Sequence, residues 1–181
     1  VRYMGELFLA TATWLSRQRR ELRFVMPAAS SALFERLREM ASRLSSSSSL
    51  NLTIVAGQSH LAMKAADVVL VASGTATLEA ALLARPMVIG YRMAWGSYRI
   101  MRGKALLPWI GLPNILCGET MVPEFIQNAA TPEALGGALL KQIDDASGRD
   151  RLAERFAEMR DGLRRGCADR SAARILELSG V

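Results

Sequence analysis

Residues 66–91 read ADVVLVASGTATLEAALLARPMVIGY. Two nearly unbroken apolar runs, Asp67–Ala72 and Pro86–Tyr91, flank a stretch of small, hydroxyl-bearing and helix-forming residues. Apolar runs without alternation are the pattern of strands buried on both faces. The interval between them has the length of one turn and one helix. Strand, helix and strand at this spacing predict a βαβ unit and therefore a parallel sheet.

The pattern extends in both directions. Met4, Leu7, Phe8, Thr11 and Leu15 recur at helical spacing over residues 4–20. A strand is expected at Leu22–Met26, ended by Pro27, then a helix from Ser30 or Ser31 to about Leu44. Leu50–Val55 reads as a strand, Gly57-Gln58-Ser59 as a turn, and His60–Ala66 as a short helix. Beyond the quoted stretch, Trp95–Leu107 reads as a basic amphipathic helix and Leu112–Cys117 as a short strand. Helices are expected at Val122–Gln127, Pro132–Asp145, Arg149–Arg165 and Asp169–Leu178. The one candidate linker is Ser147-Gly148. It divides an α/β body at residues 1–147 from a charged helical tail at 148–181.

The chain has 181 residues, of which 50% are hydrophobic and 22% charged, enough to bury a core and too apolar for global disorder. No apolar stretch reaches the ~18 residues that span a bilayer, and no secretory leader is visible. Cys117 and Cys167 form neither a metal-ligand spacing nor a disulfide framework. The net charge is +6. From Ala80 to Gly118 there is no acidic residue, while Arg85, Arg92, Arg99, Arg102 and Lys104 fall inside. A one-signed stretch of this kind suits an anionic partner. Nucleic acid is the poorest fit, because no recognition motif and no interleaving of aromatic with basic residues is present.

The seam Ser73–Glu79 carries the candidate chemistry. Ligands of open parallel sheets bind beyond the carboxyl ends of the strands. Gly74 permits close approach, Ser73, Thr75 and Thr77 offer hydroxyls, and a helix start offers free N–H groups and a positive dipole end. Together these suit a diphosphate, with Glu79 one turn on for a ribose diol. The competing reading is that Ser73 merely caps the helix and the small residues ease packing. The residues alone leave both open.

The run ADVVLVASGTATLEAALLARPMVIGYRM (66–93), with LPNIL (112–116) and TPEAL (131–135) downstream, resembles the C-terminal domain of the lipid-A-disaccharide synthase family. That resemblance implies the C-terminal half of a GT-B glycosyltransferase fold: a Rossmann-like parallel sheet flanked by helices, ending in a helical tail that serves as an interdomain or dimer element. It implies an inverting transfer of 2,3-diacylglucosamine from UDP to lipid X, giving lipid A disaccharide 1-phosphate and UDP, with no metal and no cofactor. It places Ser73, Gly74 and Thr75 at the UDP diphosphate and Glu79 at the ribose. Val55, Ala56, Gly57 and Gln58 fall near the uracil, and Arg92 and Asn114 near the substrate, Arg92 alternatively at a dimer contact. The resemblance further implies that the first strand of the sheet, a Gly-Ser-Arg turn and an N-terminal domain bearing the catalytic base precede Val1. The isolated chain is then expected to bind UDP weakly and not to turn over. A cytoplasmic enzyme at the inner face of the inner membrane, able to form a homodimer, is what the same likeness implies. The rival readings are another GT-B UDP-sugar enzyme, such as a MurG-like transferase or a UDP-GlcNAc 2-epimerase, and a stand-alone nucleotide-binding module.

Two features stand beside the seam. His60, the one histidine, reads as a structural or edge-of-site residue, a nucleotide contact, or a base. Trp95–Trp109 mixes aromatics, aliphatics and three positive charges, which suits either an anionic membrane surface or an ordinary packed helix.

Overall fold

A computed structural model describes residues 2–45, 50–96, 98–99, 107–164 and 167–179. Ser46–Ser49 of the serine run, and Arg102 and Lys104, lie outside the described residues. The chain runs α1 (Arg2–Gln18), β1 (Phe24–Ala28), α2 (Ser31–Ser45), β2 (Leu52–Ala56), α3 (Ser59–Ala65), β3 (Val69–Val71), α4 (Thr75–Leu82) and β4 (Met87–Tyr91). It continues with α5 (Leu112–Cys117), β5 (Glu124–Ile126), a 3-10 turn (Gln127–Ala129), α6 (Pro132–Asp144), α7 (Ala146–Leu163) and α8 (Cys167–Ser179). No helix among the described residues is long and apolar enough to cross a membrane.

Every strand pairing among the described residues is parallel, as the βαβ spacing predicts. β1 pairs with β2 from Phe24↔Leu52 to Ala28↔Ala56. β4 lies between β3 and β5, with Val69↔Met87 on one side and Tyr91↔Ile126 on the other. The two sheet sections share helical layers. α1 packs against α2 and α6 on one side, while α3 meets β1 and α4 on the other.

β4 organises the core. Met87, Val88 and Ile89 are all fully buried. Successive residues of a strand point to opposite faces, so this run serves two cores at once. Met87 and Ile89 pack with Met63, Ala80, Val122, Phe156 and Met159, beneath α3, α4 and α7. Val88 packs with Leu7, Leu15, Leu135 and Leu139, beneath α1 and α6. Gly90 faces the second core, where a Cβ would stand 3.0 Å from Leu135. Gly136 lets α6 press onto Trp14 of α1, since a Cβ there would lie 2.3 Å from the indole.

Several expected elements are corrected. Leu112–Cys117 is a helix, not a strand: Pro113 occupies its first turn and Gly118, at φ 68°, ends it in the left-handed region. Val122–Gln127 is not helical, because Glu124–Ile126 adds to the edge of β4 and only Gln127–Ala129 turns. The first strand sits two residues later than its pattern suggests and includes Pro27, which a section edge tolerates. Ser147-Gly148 lies within the first turn of α7, where Asp145 accepts from the Gly148 N–H at 2.8 Å and from the Ser147 hydroxyl. Those two donors hold the Asp145 carboxyl below its usual range. α7 buries Phe156 and Met159 in the core, whereas α8 leaves Ile175, Leu176 and Leu178 exposed.

Candidate functional site

β3 ends at Val71, and the seam turns on Gly74, whose φ of 94° and ψ of −159° belong to backbone that side-chain-bearing residues avoid. A Cβ on Gly74 would meet nothing within 4 Å, so the glycine answers a backbone demand and leaves open space beside it. Gly74 is also the N-cap of α4, which therefore starts without a side-chain cap. The helix-capping role considered for Ser73 is not realised. Ser73 is half-buried, Gly74 and Thr75 are exposed, and neither hydroxyl has a partner among the described residues. Glu79 is exposed on α4, at i+4 from Thr75 and hence on the same side of the helix.

Thr77 behaves differently from its neighbours. It is fully buried, donates to the Gly74 carbonyl at 2.7 Å and accepts from the Leu112 N–H at 3.1 Å. The hydroxyl is spent inside the protein, joining the seam to the start of α5. The next two N–H groups upstream go to Glu124: Ile110 N–H to Oε2 at 2.8 Å and Gly111 N–H to Oε1 at 3.0 Å. A carboxylate at a helix start is favoured by both dipole and hydrogen bonds.

Asn114 completes this junction. It is fully buried, and its carboxamide is saturated. Nδ2 donates to Val122 O at 2.9 Å and to Glu124 Oε1 at 2.7 Å, while Oδ1 accepts from the N–H groups of Met121 and Val122 at 2.8 and 2.9 Å. The residue expected to line the substrate site thus knots α5 to β5 from within. Glu124, which the sequence reading missed, is its partner; the available signal was a carboxylate inside the otherwise apolar run MVPEFI.

Arg92 follows the end of β4. Its backbone N–H donates to Met4 Sδ at 3.1 Å, which sets the first turn of α1 beside this strand end, and its Nε donates to Gln127 O at 3.3 Å. Ser73–Thr75 and Arg92 therefore follow the carboxyl ends of neighbouring strands. Val55 closes β2 with Ala56, and Gly57 and Gln58 form the turn beyond it at φ 66° and 57°. They belong to the other sheet section. Ala56, Gly57, Gln58 and His60 are exposed. Arg85 is structural, its Nη1 donating to Ala66 O at 3.2 Å. Arg99 stacks on Trp95, 4.9 Å from the ring centroid, and that indole is 64% exposed. Burial pushes the Cys117 thiol above its ordinary value. Among the described residues, no group of three or more His, Cys, Asp or Glu side chains could hold a metal ion.

The Asn114 junction predicts a large stability effect. Asn114→Ala strips partners from two backbone N–H groups and from Glu124, and should cost about 3 kcal/mol in urea unfolding. A loss under about 0.5 kcal/mol would show that the knot is not holding α5 to β5.

The sequence matches the family described as lipid-A-disaccharide synthetase over residues 1–175. It is 50% identical over 169 residues to a lipid-A-disaccharide synthase of Paraburkholderia xenovorans (strain LB400), covering 93% of this chain and 43% of the relative. It is 50% identical over 171 residues to that of Thiobacillus denitrificans (strain ATCC 25259 / T1), covering 94% and 45%. With that of Azoarcus sp. (strain BH72) the identity is 46% over 176 residues, covering 97% and 45%. The chain thus spans less than half the length of these curated relatives. On its match across nearly the whole chain, it belongs to the lipid-A-disaccharide synthetase family.

Proposed function

We propose that the full-length protein transfers 2,3-diacylglucosamine from UDP to lipid X, with inversion at the anomeric carbon, and that this chain supplies the UDP-binding half. The observation that carries the reading is the seam: an uncapped helix start, an exposed glycine in backbone only glycine favours, and two hydroxyls without partners among the described residues, all beyond the carboxyl end of a half-buried parallel strand. As the glycosidic bond breaks, negative charge grows on the β-phosphate. Helix N–H groups and hydroxyls fixed before reaction stabilise such charge without reorganising. Ser73, Gly74 and Thr75 take this role, Glu79 accepts from the ribose hydroxyls, and Arg92 lies toward a substrate phosphate. Residues 55–58 stand near the uracil, held by the left-handed turn at Gly57 and Gln58.

The same reading assigns the two sheet sections to one domain, which also takes in α7 through Phe156 and Met159. What supports it is that α1 bridges between α2, over the β1–β2 section, and α6, over the β3–β4–β5 section. Catalysis then needs a base from beyond this chain, and the isolated chain binds UDP without turning over.

Calorimetric titration of the full-length protein with UDP tests the ribose assignment. Glu79→Ala should weaken binding about tenfold, the worth of one or two hydrogen bonds to a charged group; equal affinity removes the assignment. The exposed Trp95 and its stacked Arg99 further suit an anionic membrane surface. Replacing Trp95 with Ala and Arg99 with Gln should reduce sedimentation with phosphatidylglycerol vesicles, and unchanged co-sedimentation would sink that reading.

A further inference from the structure

We propose that Gln127 is the positioning residue for Arg92, fixing its guanidinium at the carboxyl edge of the sheet to meet a phosphate. The inference rests on the reading of Arg92 given above and extends it to a residue that no sequence motif picked out.

Gln127 stands immediately after β5, and Arg92 immediately after β4, one step beyond the last paired residues, Tyr91 and Ile126. Past that point the backbone ladder stops. The Gln127 side chain continues it. Its Oε1 accepts from Met93 N–H at 2.9 Å and its Nε2 donates to Met93 O at 3.2 Å, so the carboxamide replaces one rung of a strand pair. Its own carbonyl accepts from Arg92 Nε. Three bonds from one residue therefore fix both the path of the chain leaving β4 and the root of the guanidinium.

Gln127 holds a φ of 53°, which L residues with side chains adopt at a cost. A turn at this place could be made more cheaply by glycine, which could not make the two side-chain bonds. The unfavourable backbone is thus kept together with a carboxamide aimed at Met93.

The arrangement leaves Arg92 tethered at Nε while no other side-chain hydrogen bond or ion pair engages it among the described residues. The two terminal nitrogens form a planar donor pair suited to phosphate oxygens. No acidic residue occurs between Ala80 and Gly118 to compete from its own stretch of chain. A cationic fork held at its root loses less freedom on binding than a free one. The phosphate could belong to the nucleotide or to the sugar 1-phosphate of the acceptor, and the two sources share this chemistry.

The test uses the full-length protein, with UDP and glucosamine 1-phosphate as separate probes. Arg92→Ala should weaken one of them about tenfold, which identifies the source. Gln127→Ala should weaken the same probe by a comparable factor, and the double variant should be no worse than Arg92→Ala alone. A purely structural Gln127 would weaken both probes and would add to the Arg92 loss. Gln127→Gly relieves the backbone cost and retains the carbonyl that holds Nε, so it serves if Gln127→Ala lowers the melting temperature. Full affinity in both Gln127 variants, or additive losses, overturns the positioning role while leaving Arg92 as a phosphate ligand. Unchanged affinity of Arg92→Ala for both probes removes the Arg92 reading and this proposal together.

Discussion

The hydroxyl of Thr77 is the joint on which the carboxyl edge hangs. It donates to the Gly74 carbonyl and accepts from the Leu112 N–H, so one buried atom sets both the seam and the start of α5. Losing it would leave the Leu112 N–H short of its partner, at about 1–3 kcal/mol, while the Gly74 carbonyl would keep only the Thr77 backbone N–H. Glu124 and Asn114 carry the same constraint onward to β5, so α4, α5 and β5 hold their places relative to one another.

Rigidity here has a chemical use. Gly74 keeps a conformation that costs an ordinary residue on the order of 1–3 kcal/mol, and such backbone persists only where its surroundings over-determine it. The surroundings are the two cores on either face of β4, which bury Met87 and Ile89 one way and Val88 the other. What emerges at the strand ends is a set of groups without side-chain partners among the described residues: the hydroxyls of Ser73 and Thr75, the uncapped start of α4, and the terminal nitrogens of Arg92. Polar groups fixed in place and unspent suit binding of a charged ligand better than the same groups on a mobile loop.

The parallel sheet was legible because β4 is buried on both faces and β3 packs its apolar residues against both cores, which favours unbroken apolar runs. The turn at Gly74 was legible because a glycine between strand and helix suits a positive φ, while residue types alone left its use for a ligand open. α5 was misread because its start is capped by Thr77 and Glu124, distant in sequence, and a short apolar hexamer with a proline shows no period of its own. β5 was misread for a related reason: three residues gain their strand character from backbone pairing to β4. Asn114 and Thr77 show a third limit. Residue type said that each could bond a ligand, but only the fold shows that their bonds are already made within the protein. Gln127 gave no signal, since nothing in the local sequence announces its positive φ.

Everything proposed for this edge depends on the seam at Ser73–Thr75 seating the diphosphate of a uridine nucleotide. Amide chemical-shift mapping of the chain during titration with UDP addresses it most directly. Saturable shifts are expected at Gly74, Thr75 and Ala76, smaller ones at Gly57 and Gln58, and none at the buried Asn114 knot beyond the Leu112 N–H that Thr77 holds. Saturable shifts confined to another face, such as the exposed surface of α2, with Gly74 and Thr75 unmoved, would contradict it.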